Sequence, residues 1–346
     1  MNELFKNFLK PKNVLGCDIG TASLKVVYIK DDNGLAKLES FGLIDTDPLS
    51  EHTICIQRAK AFLKEHGLSG HNVSLNVEDK SLRIRRMDLP EMPKGDMKIA
   101  IRWNFREYVD GPIEKFSVDY SGYGDMKVNG DKRPVLAFAV ANDAVEKLIK
   151  VTKLIGLKPV FVEPNATALL SAFDHSVGWE KDKFSVIIDM GGTLANFVVL
   201  GNGLLLFSRP IANAGVNWLI KSISKEMLIN DEAAIDLIKA YISKPGEQVE
   251  QKFSTAVSQF LSQMVIEVQR SIDAFCLQFH TDKVGAIYLA GGGSMIPGIC
   301  EHISKNLGVS AKIFDPFEKI DISIVGGKIP NPQLYAVAVG LALPRE

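Results

Sequence analysis

Leu24, Val26 and Tyr28 fall on one face of an alternating stretch, with Lys25, Val27 and Ile29 on the other, and this period of two predicts a strand after a turn. Elsewhere the period lengthens to that of a helix. Met97, Ile101, Phe105 and Tyr108 form one stripe, with Lys98, Arg102 and Arg106 on another. Asp143 to Gly156 reads as a helix, with Asp143 and Glu146 in capping-box spacing and Gly156 as its stop. Asn230 to Ile242 reads as a capped helix. Gln251 to His280 is a long one, whose Phe253, Val257, Phe260, Leu261, Met264, Val268, Ile272 and Phe275 recur at helical spacing and predict core. Ala286 to Ala290 predicts a short buried strand, and Pro297 to Asn306 a helix closed by Gly308. At the amino terminus Leu4, Phe5, Phe8 and Leu9 share one side of a short helix. Docking on its own domain and a weak membrane or partner contact both fit it.

Composition narrows the class. With 346 residues, 46% of them apolar, and a net charge of -1, the chain can bury a large core and divides into two or more domains. The near-neutral balance argues against a nucleic-acid surface. No apolar run approaches the roughly 20 residues of a membrane span, and Met1 to Pro11 lacks a signal-peptide core, so the expectation is a cytoplasmic protein. Cys17, Cys55, Cys276 and Cys300 show no metal-type spacing and read as buried filler.

The candidate chemistry begins with Val14-Leu-Gly-Cys-Asp-Ile-Gly-Thr-Ala-Ser-Leu-Lys-Val-Val-Tyr-Ile-Lys30. A Walker loop or dinucleotide fingerprint would lead into a helix; this turn leads into a strand. One reading is a plain hairpin. The other is a hairpin that embraces phosphate, with amides of Gly20, Thr21, Ala22 and Ser23 as donors, Lys25 as counter-charge and Asp18 reaching Mg2+ through water. An internal repeat favours the second. Val186-Ile-Ile-Asp-Met-Gly-Gly-Thr-Leu-Ala-Asn-Phe-Val-Val-Leu200 aligns Asp189 with Asp18 and Gly191 with Gly20, 171 residues apart. Two such halves describe a duplicated α/β fold gripping a nucleotide between lobes. Gly191, Gly192 and Thr193 are then the second phosphate turn, and Gly291, Gly292 and Gly293 let the backbone approach an adenine ring.

These motifs, in this order, resemble the actin-like ATPase superfamily, and Val162-Glu-Pro-Asn-Ala-Thr-Ala-Leu169 resembles its linking helix. Leu89-Pro-Glu-Met92, the helix Ile99–Val109, Val118-Asp-Tyr120, Asp315-Pro-Phe317 and Ala338–Leu343 resemble more closely the PilM family of type IV pilus assembly. The resemblance implies a duplicated actin-like, ribonuclease H-like two-lobe fold with an inserted subdomain of PilM/FtsA type. The first lobe would cover 1–72, 142–185 and 326–346, the insertion 73–141, and the second lobe 186–325. It further implies ATP and Mg2+ as cofactors, the metal at Asp18 and Asp189, Glu163 beside the attacking water, and Asp236 and Lys239 near adenosine. The implied partner is the amino-terminal cytoplasmic peptide of an inner-membrane PilN-like protein, which would recruit the chain to the membrane's inner face.

Two departures matter. Leu194 and Ala195 stand where relatives offer hydroxyls, so binding is better supported than hydrolysis. Tyr108-Val-Asp-Gly-Pro-Ile113 replaces a compact Tyr-Ile-Pro turn. A small-molecule kinase and an FtsA-like filament protein are the alternatives; the first lacks a clear carboxylate base, and the second lacks a membrane helix after a carboxy-terminal linker.

Overall fold

A computed structural model describes residues 13–45, 52–122, 132–181 and 183–344; the amphipathic stretch Met1–Lys10 lies outside them. Two five-stranded sheets share one topology. The first contains β1 (Leu15–Ile19), β2 (Ser23–Asp32), β3 (Leu35–Asp45), β4 (Asn72–Val77) and β8 (Lys158–Pro164), in the order β3-β2-β1-β4-β8. The second contains β9 (Ser185–Met190), β10 (Ala195–Gly201), β11 (Leu204–Ile211), β12 (Ala286–Ala290) and β13 (Ala311–Ile313), in the order β11-β10-β9-β12-β13. In each, three strands form an antiparallel meander and two more add in parallel. The repeated Asp-x-Gly turns therefore close equivalent central hairpins.

The alternation along β2 sorts its side chains as expected for a strand covered on both faces. Leu24 and Val26 join Leu15, Leu75 and, from α1 (His52–Glu65), Leu63. Val27 and Ile29 join the large core shared with α4 (Asn165–Ser176) and α9 (Ala336–Ala342). Here backbones pack closely: a Cβ on Gly16 would strike the Ala338 carbonyl, and one on Gly340 the Ala168 carbonyl. The second lobe adds α5 (Val216–Met227), α6 (Asp231–Ser243), α7 (Gln251–Phe279) and α8 (Ile299–Leu307). The α7 stripe is core as anticipated, with Leu261 only partly buried.

Between β4 and β8 lies the insertion: β5 (Arg83–Pro90), α2 (Lys94–Phe105), β6 (Phe116–Gly122) and β7 (Lys132–Ala141), with sheet order β5-β7-β6. Met97, Ile101 and Phe105 bury against that sheet, whereas Tyr108 falls beyond the helix end and stays exposed. The insertion's expected start at Val73 falls inside β4, which pairs with β1 and β8 in the first sheet; the added segment begins after Val77. The capping box expected at Asp143 and Glu146 does not form in α3 (Asn142–Leu154), whose N-cap Ala141 has no side-chain bond. Asn142 instead ties the helix start to the insertion, accepting from Ser117 Oγ at 2.8 Å and donating to the Glu114 carbonyl at 3.1 Å.

Candidate nucleotide site

Asp18 lies one residue before the end of β1 and is buried, because an apolar strand carries it to the inner rim of the sheet. Lys25, its cross-strand partner in β2, places Nζ 3.0 Å from Asp18 Oδ2. Asn76 of β4 completes the arrangement: its Nδ2 donates to Asp18 Oδ1 at 2.9 Å and Asn165 Oδ1 at 3.0 Å, while its Oδ1 accepts from the Ile19 amide at 2.8 Å. A buried asparagine with this many partners fixes the carboxylate's direction.

The second lobe answers across the cleft. Asn196 of β10 donates to Glu78 Oε1 at 2.6 Å, and Asn165 Nδ2 reaches the same oxygen at 3.4 Å. Glu78 is exposed as a residue, yet its carboxylate is enclosed by these partners. Thr21 lies at the exposed tip of the first hairpin, directly against Gly192 of the second, where any side chain would collide with its Oγ1.

Three carboxylates, Asp18, Glu78 and Asp189, thus share one cleft with one ammonium. Burial, then repulsion from Glu78 and Asp18, pushes Asp189 up to about 7, against the pull of Lys25 and a hydrogen bond from Asn196. Burial also raises Glu78, with Asp18 adding to it and the Asn196 hydrogen bond and Lys25 opposing. Burial works against the Lys25 ammonium, but Asp18, then Asp189 and Glu78, hold it above the ordinary lysine value. The hard oxygen donors and the excess negative charge suit Mg2+. Among the described residues no three acids, histidines or cysteines form a direct ligand set; an ion held through water would have Asp18 and Asp189 as its carboxylates.

Several expected donors are otherwise engaged. The Gly20 amide donates to the Ser23 carbonyl at 3.1 Å and the Gly191 amide to the Leu194 carbonyl at 3.0 Å, closing their own turns. The tips Thr21, Ala22 and Thr193 are exposed, Ser23 is buried, and Ala195 is fully buried at the start of β10. Gly291 has φ +76°, and a Cβ there would lie 2.6 Å from Asp189 Oδ1. Gly293 packs on Met190, whereas Gly292 faces open space. Asp236 and Lys239 are exposed on α6 and form no ion pair with each other.

A second concavity lies along β8. It is a groove of about 460 Å³ between β6 and β8, floored by Phe138, Val140, Val145 and Ile149. Each of these strands ends its own sheet. Glu163 is among the groove's lining residues, and its backbone pairs in register with Asn76 of β4. Glu78 is a carboxylate that stands with Asp18 and Asp189.

The family model for type IV pilus assembly protein PilM matches residues 16–346. The chain belongs to that family. Its fold is similar to that of a PilM-PilN type IV pilus biogenesis complex, with TM-score 0.84 and 23% identity over 96% of this chain and 98% of that one. It is also similar to ethanolamine utilization protein EutJ from Carboxydothermus hydrogenoformans, with TM-score 0.55 and 16% identity over 98% and 92%. MreB5 of Spiroplasma citri bound to ADP gives 0.51 and 15% over 95% of each chain. The two-lobe actin-like fold of this PilM-family chain is thereby established.

Sequence reasoning had not singled out Asn76, Glu78 or Asn196. For the two asparagines the signal was present: one inside the largely apolar run Val73–Val77, the other at the start of the strand after the second Asp-x-Gly turn. Their roles depend on which strands become neighbours, and no local pattern specifies that.

Proposed function

We propose that this chain is a nucleotide-responsive scaffold of type IV pilus assembly, binding Mg-ATP in the interlobe cleft and a PilN-like amino-terminal tail in the β6–β8 groove. The observation that carries this reading is the groove itself. Two strands, each without a further neighbour in its sheet among the described residues, face one another across an apolar floor, which suits capture of an extended peptide by strand addition. No described helix is long and apolar enough to cross a membrane, so attachment there falls to the partner.

In the cleft, Lys25 would neutralise phosphate charge, Asp18 and Asp189 would orient the metal's waters, and Gly292 leaves room for the adenosine side. Bound Mg2+ would supply charge neutralisation between the carboxylates and the phosphates. Because Thr21 rests on Gly192, entry of phosphate between the hairpin tips requires the lobes to part. The chain's own groups then reclose around it.

The test is anisotropy of a labelled peptide copied from the partner's tail. Binding should be saturable and should fall at least tenfold in Val145→Arg, which puts a long cation on the groove floor. Equal binding by the variant would place the peptide elsewhere.

A further inference from the structure

The groove's charge is one-sided. Among the described lining residues only Asp119 and Glu163 are charged, and both are acidic; no described lysine, arginine or histidine lines it. The pleat of β6 explains how Asp119 gets there. Phe116, Val118 and Tyr120 turn toward α2 and the subdomain core, which leaves Ser117 and Asp119 on the opposite face. Ser117 confirms the direction through its bond to Asn142 at the start of α3.

Asp119 pairs in register with Phe138 of β7, and Ser117 with Val140, so the carboxylate stands at the edge of the apolar floor. One of its oxygens, Oδ1, accepts from the Tyr120 amide at 3.0 Å, which holds the side chain in place. It forms no ion pair with a described residue.

We propose that Asp119 selects a basic side chain in the groove's occupant: an extended segment whose apolar residues rest on Phe138, Val140 and Ile149 and whose lysine or arginine meets the Asp119 carboxylate. This rests on the peptide-capture reading above and adds the chemistry of the peptide. Apolar contacts supply adhesion without register, since a greasy floor tolerates a slip along the strand. A single charge pair at the edge penalises such a slip, because a misplaced peptide leaves its cation without a partner over an apolar surface.

The probe is a labelled peptide copied from the partner's amino-terminal tail, with two relatives in which its basic residues become glutamine or glutamate. The receptors are the full chain, Asp119→Asn and Asp119→Lys. Asp119→Asn retains the Oδ1 acceptor and the shape of an exposed residue, so folding is not at issue. With the native peptide it should bind about tenfold more weakly than wild type, as loss of a partly exposed charge-assisted bond implies. With the glutamine peptide, wild type and Asp119→Asn should bind alike. Asp119→Lys should reject the native peptide and recover the glutamate peptide. Equal binding of the native peptide by wild type and Asp119→Asn, or a tail without basic residues that binds in the groove, would overturn the proposal while leaving peptide capture intact. Failure of wild type to bind the native tail with or without Mg-ATP would overturn peptide capture itself, and this proposal with it.

Discussion

Asp189 is where pH acts on this molecule most directly. Its folded value of about 7 lies above the roughly 4 of an unfolded aspartate, so the folded state binds the proton more tightly. Stability from this group is therefore greatest below about pH 4, falls as pH rises toward about 7, and stays level beyond, a loss of roughly 4 kcal/mol at most. Thermal denaturation without divalent ions should show that fall between pH 5 and 7 in wild type, and a shallower one in Asp189→Asn. Parallel curves would deny Asp189 its role. Asp18 and Lys25 differ in kind, since each balances the other: their side chains are 9% and 15% exposed. Lys25→Met should weaken Mg-ATP at least tenfold by calorimetry, through loss of a charge-assisted contact to phosphate. It should also cost roughly 3 kcal/mol in urea denaturation, because Asp18 is left buried beside an uncharged neighbour. An unchanged nucleotide titration would count against the phosphate-hairpin reading.

Helix α9 shows the same economy at the level of elements. It crosses β1 at Gly16 and α4 at Gly340, contacts so close that backbone meets backbone. Gly340→Ala would drive its Cβ into the Ala168 carbonyl. Relief requires α4 and α9 to separate, so the melting temperature should fall by about 5 °C or more, in line with an overpacked core. A melting curve matching wild type would mean that the pair yields easily. Since α4 begins at Asn165, which touches both Asn76 and Glu78, such a shift would also be felt in the cleft.

The whole molecule links its two concavities through the insertion. One edge of that subdomain, β5, rests on the second lobe, where the Arg86 guanidinium lies 5.0 Å from the centre of the Phe279 ring. The other edge, β6, forms a groove wall opposite β8 of the first lobe. Glu78, at the insertion's entry, bonds Asn196 of the second lobe. Motion of one lobe against the other should therefore change the groove's width, and nucleotide and peptide should affect each other's affinity by one common factor. Arg86→Ala, remote from both concavities' ligands, should bring that factor toward one while leaving the affinity for peptide alone unchanged. Titrations of each ligand with and without the other give the factor; an undiminished value in Arg86→Ala would show that coupling runs by another route.

The duplication was legible in the sequence because each Asp-x-Gly turn is a local signal that recurs with its flanking strands, and local signals survive in one dimension. The same holds for the α7 stripe and for Asn230, whose side chain caps α6 by accepting from the Ala233 amide at 2.9 Å. Tertiary structure decided what stands next to what. Strand order placed β4 beside β1, and so made Asn76 the keeper of Asp18. It set Glu78 among the cleft carboxylates, and it turned Asp119 toward the groove. Such neighbours lie far apart along the chain, 118 residues in the case of Glu78 and Asn196, and they meet only because packing of the two sheets and the insertion brings them together.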